Sequence, residues 1–394
     1  MTECKVWLDN YHGGYYYPGN QIQGRVVITV STETKIRKIK LTLKGDEHTE
    51  WMGTERTTRH NRHARDRRSR SRTVLKTGNH NFMHTDIILI GNDHSGTITI
   101  PAGQHIYPFT LTLPYNIPGT YNGEYGSVSY RLKAVVDRPM AFDYKDSLMF
   151  VVATLVDLNA SRGLELLEPT SYSKNKTLYC CCWSRGHIEM DVHLPKKSLT
   201  PQDNVKVSVR ISNLSRNNIE SVELKLKQRI TCKVDDSSEP NKTISNKLLH
   251  VKEGGIGSNG QHTYTLPVKL PANIVIPNFS MCKLFKVTYS YSVVAKLPGP
   301  HINLKVEMFP ELGHIDIGQN LQRDHSYPPI SCVEQASTNY GFQGDVSRQP
   351  YLISSIDSNN FTMVQSTVDQ SDSARIIEND LPPPYDSVVP PIKD

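Results

Sequence analysis

The feature that most constrains this chain is that it repeats itself once, in segments whose apolar residues alternate with a period of two. A shift of 183 residues places Pro18 on Pro201, Ile22 on Val205, Val26 on Val209, Ile28 on Ile211, Ile36 on Ile219, Ile39 on Val222, Leu41 on Leu224 and Leu43 on Leu226 without a gap. Farther on, Tyr107, Phe109, Leu111, Leu113, Pro114 and Ile117 fall on Tyr264, Leu266, Val268, Leu270, Pro271 and Ile274 at a shift of 157. Val128-Ser129-Tyr130 falls on Val287-Thr288-Tyr289 at 159. The drop from 183 to 157 means that the first copy carries 26 extra residues between Leu43 and Tyr107.

Alternation of this kind marks half-buried strands. Pro and Gly punctuate them about every ten residues, as at Pro18-Gly19, Gly45, Pro101, Pro118-Gly119, Pro195, Pro277 and Pro298-Gly299, a spacing suited to β-sandwiches rather than βαβ units. The only helical suggestion is a turn near Leu164–Leu167. The expected fold class is all-β: two tandem β-sandwich lobes, 1–158 and 178–317, joined by a polar linker at 159–177. From 318 to 394 the period disappears into Ser, Gln, Asn, Asp and Pro, a composition that predicts disorder.

Charge is placed unevenly. Nine Lys/Arg between residues 55 and 76 face only Glu55 and Asp66, giving that segment +7 of the chain's net +6, while ten acids against four bases make 318–394 net −6. The basic segment coincides with the extra residues of the first copy, so an inserted loop at about 55–80 is expected. Its Arg62, Arg65, Arg67, Arg68, Arg70 and Arg72 are candidates for an anionic surface, each contributing about 1 kcal/mol against a charged leaflet before screening. A solvated loop accounts for them equally well. With no aromatic residue between Arg56 and Arg72, base stacking has no platform, and nucleic acid is not expected as a partner.

The clearest short motif is Pro382-Pro383-Pro384-Tyr385, of the form Pro-Pro-x-Tyr. Pro382 and Pro383 preset a polyproline II stretch and Tyr385 ends it with a phenol, the combination that docks in the aromatic groove of a WW domain. With 24 Pro and 19 Tyr in 394 residues, random order would give about 0.07 such tetrapeptides. A second run, Tyr327-Pro328-Pro329-Ile330-Ser331, carries Ser331 where the phenol is needed.

Other patterns carry less. Seven Cys, three of them consecutive at Cys180–Cys182, read as reduced thiols rather than a disulfide framework. Adjacent side chains do not converge on a tetrahedral ion, and His60, His63, His80 and His84 lack the two Cys of a zinc finger, so no metal is expected. Gly255-Ile256-Gly257-Ser258-Asn259-Gly260 matches the dinucleotide fingerprint but lies between β-patterned stretches, where a flexible hairpin loop is the better reading. No catalytic residue or cofactor site is indicated. Neither an apolar run long enough to cross a bilayer nor a signal-peptide pattern is seen, so a soluble intracellular protein is expected.

Longer blocks point to a family. Gly123-Glu124-Tyr125-Gly126-Ser127-Val128-Ser129-Tyr130 followed by Lys133-Ala134-Val135-Val136-Asp137-Arg138-Pro139 resembles the end of the first lobe of α-arrestins, the arrestin domain-containing proteins. Lys176–Trp183, Ile276–Lys283 and Val287–Gly299 resemble parts of that family's second lobe, and Pro382–Tyr385 matches its tail. The resemblance covers roughly residues 5–317 and implies two arrestin-like, immunoglobulin-type sandwiches. It implies an adaptor linking membrane receptor or transporter cargo to a WW-domain HECT-type ubiquitin ligase, and so promoting cargo ubiquitination, endocytosis and endosomal sorting from the cytoplasm. The alternative is a ligase-independent, retromer-like trafficking scaffold. The loop Asn213–Asn218 lacks the cysteine through which one family member binds thioredoxin, and the Arg-rich insertion is foreign to the family pattern.

Overall fold

A computed structural model describes residues 3–11, 13–58, 69–92, 96–160, 163–180, 183–235, 241–271, 274–299 and 301–318. The first sandwich is built from β1 (Glu3–Leu8), β2 (Gln21–Val30), β3 (Thr34–Ile36), β4 (Lys38–Thr58), β5 (Ser69–Gly91), β6 (Ile98–Ile100), β7 (Gly103–Thr112), β8 (Tyr121–Gly123), β9 (Gly126–Asp137) and β10 (Tyr144–Phe150). The second contains β11 (Thr170–Cys180), β12 (Trp183–Leu194), β13 (Ser198–Leu199), β14 (Val205–Ser215), β15 (Ile219–Cys232), β16 (Lys242–Ile256), β17 (Gln261–Val268), β18 (Phe285–Lys296), β19 (Leu304–Met308) and β20 (Glu311–Leu312). A short 3₁₀ turn at Gly163–Leu166 buries Leu166 where the sequence suggested a helical turn.

The sequence repeat is a repeat of strand register. In the first lobe β2 pairs β7 with Val26 opposite Tyr107, and in the second β14 pairs β17 with Val209 opposite Tyr264. In the other sheet of each lobe, Leu43 of β4 faces Leu132 of β9, and Leu226 of β15 faces Tyr291 of β18. The two sheets are β1-β2-β7 and β10-β9-β4-β5 in the first lobe, and β11-β12-β14-β17 and β16-β15-β18-β19 in the second. Alternate residues of each, such as Val26 and Ile28 against Ile39, Leu41 and Leu43, turn inward and are fully buried, which fixes the register because a slip of one residue would expose the whole set.

Three expectations are corrected. The 159–177 segment is not strandless: β11 begins at Thr170 and runs antiparallel to β12 from Thr170↔Leu194 onward. It is an edge strand in which, among the described side chains, Leu178 alone is buried, so its polar sequence Thr-Ser-Tyr-Ser-Lys-Asn-Lys-Thr carries no alternation, and its lysines suit an exposed edge. The basic insertion is not simply a loop. β4 and β5 continue their pairing out to Thr58↔Ser69, so much of the extra length is a long antiparallel ribbon. Finally, Gly255–Gly260 does not close a hairpin, because β16 pairs β15 whereas β17 pairs β14, and the segment crosses from one sheet to the other.

The lobes share apolar packing. Ile230, Cys232, Leu284 and Phe285 of the second lobe are part of the buried cluster formed by the first lobe's core, while a separate cluster of residues from 178 to 312 fills the second sandwich.

Candidate functional site

Strand β4 keeps its odd-numbered residues inward well beyond the first sandwich, through Leu41, Leu43, Glu47, Thr49 and Trp51, all buried. Glu47 is the exception in that series, a carboxylate in the buried phase. Its side chain is fully enclosed and accepts hydrogen bonds from the backbone N–H of Lys283 at 2.7 Å and of Leu284 at 2.9 Å. The Nδ1 of His80, from the partner strand β5, lies 2.6 Å from the same carboxylate. Two residues on, the Thr49 hydroxyl donates to the Lys233 carbonyl at 2.6 Å. Gly78 lets β5 approach the second lobe, since a Cβ there would stand 2.3 Å from the Val234 carbonyl oxygen. The inter-strand ribbon that the first copy adds is therefore anchored at its midpoint on the second lobe.

Beside this clamp the Gly119 N–H donates to the Asn278 carbonyl at 3.1 Å. Tyr121 packs edge-on to Phe279 at 5.1 Å and to Phe285 at 5.5 Å, with Phe279 and Phe285 stacked at 5.2 Å. Such pairs contribute about 0.5–1.5 kcal/mol each beyond area burial. The neighbouring cavity, lined by Tyr17, Thr120, Val152, Ile276, Pro277 and His314, measures about 60 Å³, room for a few waters and well below the volume of metabolite pockets. Burial pushes His314 down to about 4, and its Nδ1 accepts the Val156 N–H at 3.0 Å; the imidazole is a neutral structural acceptor at neutral pH. The described thiols Cys4, Cys232 and Cys282 are free. Burial raises all three, Cys4 to about 12 and Cys232 to about 11, and the Glu47 carboxylate adds to the rise at Cys282, so none is a ready nucleophile.

Pro382, Pro383 and Tyr385 lie outside the described residues, as do Arg62, Arg65, Arg67 and Arg68. Arg70 and Arg72 fall on β5, with Arg72 exposed and in register with Glu55. His80 is engaged with Glu47, and His84 sits 3.2 Å from Asp86; His60 and His63 are outside the described residues. Among the described residues no group of three His, Cys, Asp or Glu could hold a metal ion. Glu47 was overlooked in the sequence, although a charge inside an otherwise apolar alternation was the signal for it.

Comparisons with known proteins agree with this geometry. Residues 4–159 match the arrestin (or S-antigen) N-terminal domain and residues 184–317 match the arrestin (or S-antigen) C-terminal domain. The chain is 29% identical to arrestin domain-containing protein 17 of Caenorhabditis elegans over 284 residues, 70% of this chain and 63% of that relative, so it spans less than two thirds of that protein's length. It is 23% identical to human thioredoxin-interacting protein over 289 residues, 72% of this chain and 68% of the relative. Against human arrestin domain-containing protein 4 the identity is 23% over 352 residues, covering 86% and 80% of the two chains. Two sandwiches built on one duplicated register, each matched by its own arrestin domain and flanked by relatives of the same two-domain type, place this chain in the α-arrestin family of arrestin domain-containing proteins.

Proposed function

We propose that this chain is a non-catalytic adaptor that links membrane receptor or transporter cargo to a WW-domain HECT-type ubiquitin ligase, promoting cargo ubiquitination, endocytosis and endosomal sorting. The observation that carries this reading is the Pro382-Pro383-Pro384-Tyr385 sequence in an acidic tail that follows an arrestin body. The body supports it physically. The described groups at the seam between the lobes, the Glu47 carboxylate on the Lys283 and Leu284 N–H groups and the Tyr121, Phe279 and Phe285 rings, hold the lobes together. Tethering does the work in such an adaptor, because a linked second partner gains about 10²–10⁴-fold in apparent affinity without any new contact. The composition of the 63 residues from 318 through 380 is that of a linker, and a random coil of that length has an r.m.s. end-to-end distance of roughly 45 Å. The Arg62–Arg72 cations would bias the adaptor toward anionic cytosolic membrane surfaces, where recruitment from the cytoplasm to the plasma membrane and endosomes would take place.

The test is a pull-down of the full chain and of Tyr385→Ala with a WW-domain array from a HECT ligase. Capture of the unmutated chain that is lost with Tyr385→Ala is the expected result. Failure of the unmutated chain to bind would overturn the ligase arm and leave the ligase-independent scaffold as the better reading.

A further inference from the structure

The β16-β15-β18-β19 sheet has an outer face that is concave and strongly cationic. Its concavity, about 680 Å³ and open to solvent, is lined by seven Lys/Arg side chains and one carboxylate, Glu307. Lys225, Lys227 and Arg229 project from alternate positions of β15, and Lys174 and Lys176 come from the facing edge strand β11 of the other sheet. Part of this charge is balanced locally: Lys225 pairs with Glu223, and Lys305 with Glu307. Lys174, Lys227, Arg229 and Lys296 make no close salt bridge with a described residue, although Glu307 feels Arg229 and Lys174, and Glu223 feels Lys296, at longer range. Lys227 also stands directly opposite Lys247 across β15 and β16, and like charges in register cost stability. The floor between the cation rows is formed by Ser292 and Ser290 of β18, in register with Lys225 and Lys227.

We propose that this tray binds an extended acidic peptide segment of a partner protein, with carboxylates at alternate positions. Side chains two apart on a strand repeat at about 6.8 Å, so the cations of β15 match the i, i+2 carboxylates of an extended peptide laid alongside them. A planar lipid surface fits less well, since a flat leaflet does not follow a concavity whose Ser290 and Ser292 lie between the cation rows. Ser290 and Ser292 add hydroxyl donors at the floor for a carboxylate or a peptide carbonyl. The identification of that segment as part of the cytosolic face of cargo rests on the adaptor reading; the tray's chemistry does not. The sequence signal was Lys225–Arg229: Lys-Leu-Lys-Gln-Arg places a cation at three successive outward positions of a strand whose inward positions include Leu224, Leu226 and Ile230.

The experiment is fluorescence anisotropy of the full chain with a labelled peptide alternating Glu and Ser, a second peptide of the same composition with its Glu in one block, and phosphatidylcholine vesicles containing a phosphoinositide. Expected are tighter binding of the alternating than of the block peptide and at least about tenfold weakening between 0.1 and 1 M salt, as the Debye length falls from about 10 to about 3 Å. The Lys227→Gln/Arg229→Gln double variant should lose at least about tenfold in affinity, while Lys227→Arg retains it; an unchanged thermal midpoint in the double variant shows that the fold is intact. Equal binding of the two peptides, full affinity in the double variant, or vesicle binding that is lost in the Lys227→Gln/Arg229→Gln variant would each overturn the proposal; vesicle binding that the double variant retains belongs to the Arg62–Arg72 segment and leaves the tray to the peptide arms. Tyr385→Ala should leave peptide binding unchanged, so failure of the ligase arm and failure of the tray are read separately.

Discussion

The Glu47 carboxylate of the first sandwich accepts the backbone N–H groups of Lys283 and Leu284 in the second, at 2.7 and 2.9 Å, from a fully enclosed position. One side chain thus satisfies two adjacent donors just ahead of β18, and its charge strengthens both bonds relative to neutral ones. The arrangement depends on β4 being longer than its counterpart β15, 21 residues against 14, so the relation between the lobes is one-sided: the first copy reaches over and the second receives.

Removal of this acceptor should uncouple the lobes. Glu47→Ala leaves the part-buried Lys283 N–H and the buried Leu284 N–H without their acceptor, for an expected cost of about 2–4 kcal/mol. Glu47→Gln keeps one oxygen for one donor but turns an amide N–H toward the other, and should cost less, about 1–3 kcal/mol. Differential scanning calorimetry should show a lowered midpoint for both and a split into two transitions for Glu47→Ala. A single transition at the original midpoint would mean that the Tyr121, Phe279 and Phe285 cluster holds the lobes together unaided.

Acid should weaken the same seam through His314. Its pKa is held near 4 by burial, against about 6.5 for the free side chain, so between these values the unfolded chain binds a proton that the folded chain does not. Stability therefore rises with pH across that window and is fully present above about 6.5, a contribution of up to about 3 kcal/mol. Asp86, lowered to about 2 mainly by the Thr42 hydroxyl, has its own loss below about 4, outside most of this window. Urea midpoints measured near pH 7 and near pH 5 should differ more for the natural chain than for His314→Gln, whose side-chain oxygen can still accept the Val156 N–H. An equal slope in both chains would show that His314 is not the titrating group.

The legible part of this fold was the part in which one face of a strand is buried and the other is wet. Val26, Ile28, Leu41 and Leu43 announce their strands and, through their shifted counterparts, the second lobe's register as well, because hydrophobic alternation and register are the same constraint. β11 was illegible because an edge strand in which Leu178 alone is buried among the described side chains has no apolar face to write into the sequence. Glu47 and the Lys225, Lys227 and Arg229 row were passed over for the opposite reason: they sit within legible strands, but their partners are either 236 residues away, as Lys283 is from Glu47, or are not part of the chain. The crossing at Gly255–Gly260 misled because small residues permit a hairpin and a sheet-to-sheet crossover equally.

That crossing is held by a side chain the repeat does not supply. Asn213 occupies the position of Val30 in the first copy, is fully buried, and donates from Nδ2 to the carbonyls of Asn217 at 2.8 Å and Gly257 at 2.9 Å. Its Oδ1 accepts the Ser215 hydroxyl at 2.6 Å, while the Asn218 side chain accepts the Ser258 N–H at 2.9 Å. Asn213→Val, which restores the first copy's residue, leaves two carbonyls and a hydroxyl without this partner and should cost about 1–3 kcal/mol. Hydrogen exchange should locate the damage: the amides of Ser258, Asn259 and Gly260 exchange faster, while those of Val207 and Val209 in the interior of β14 keep their protection up to the global unfolding free energy. Faster exchange spread evenly along β14 would mean that Asn213 supports the strand itself and that the crossing is held by its own backbone.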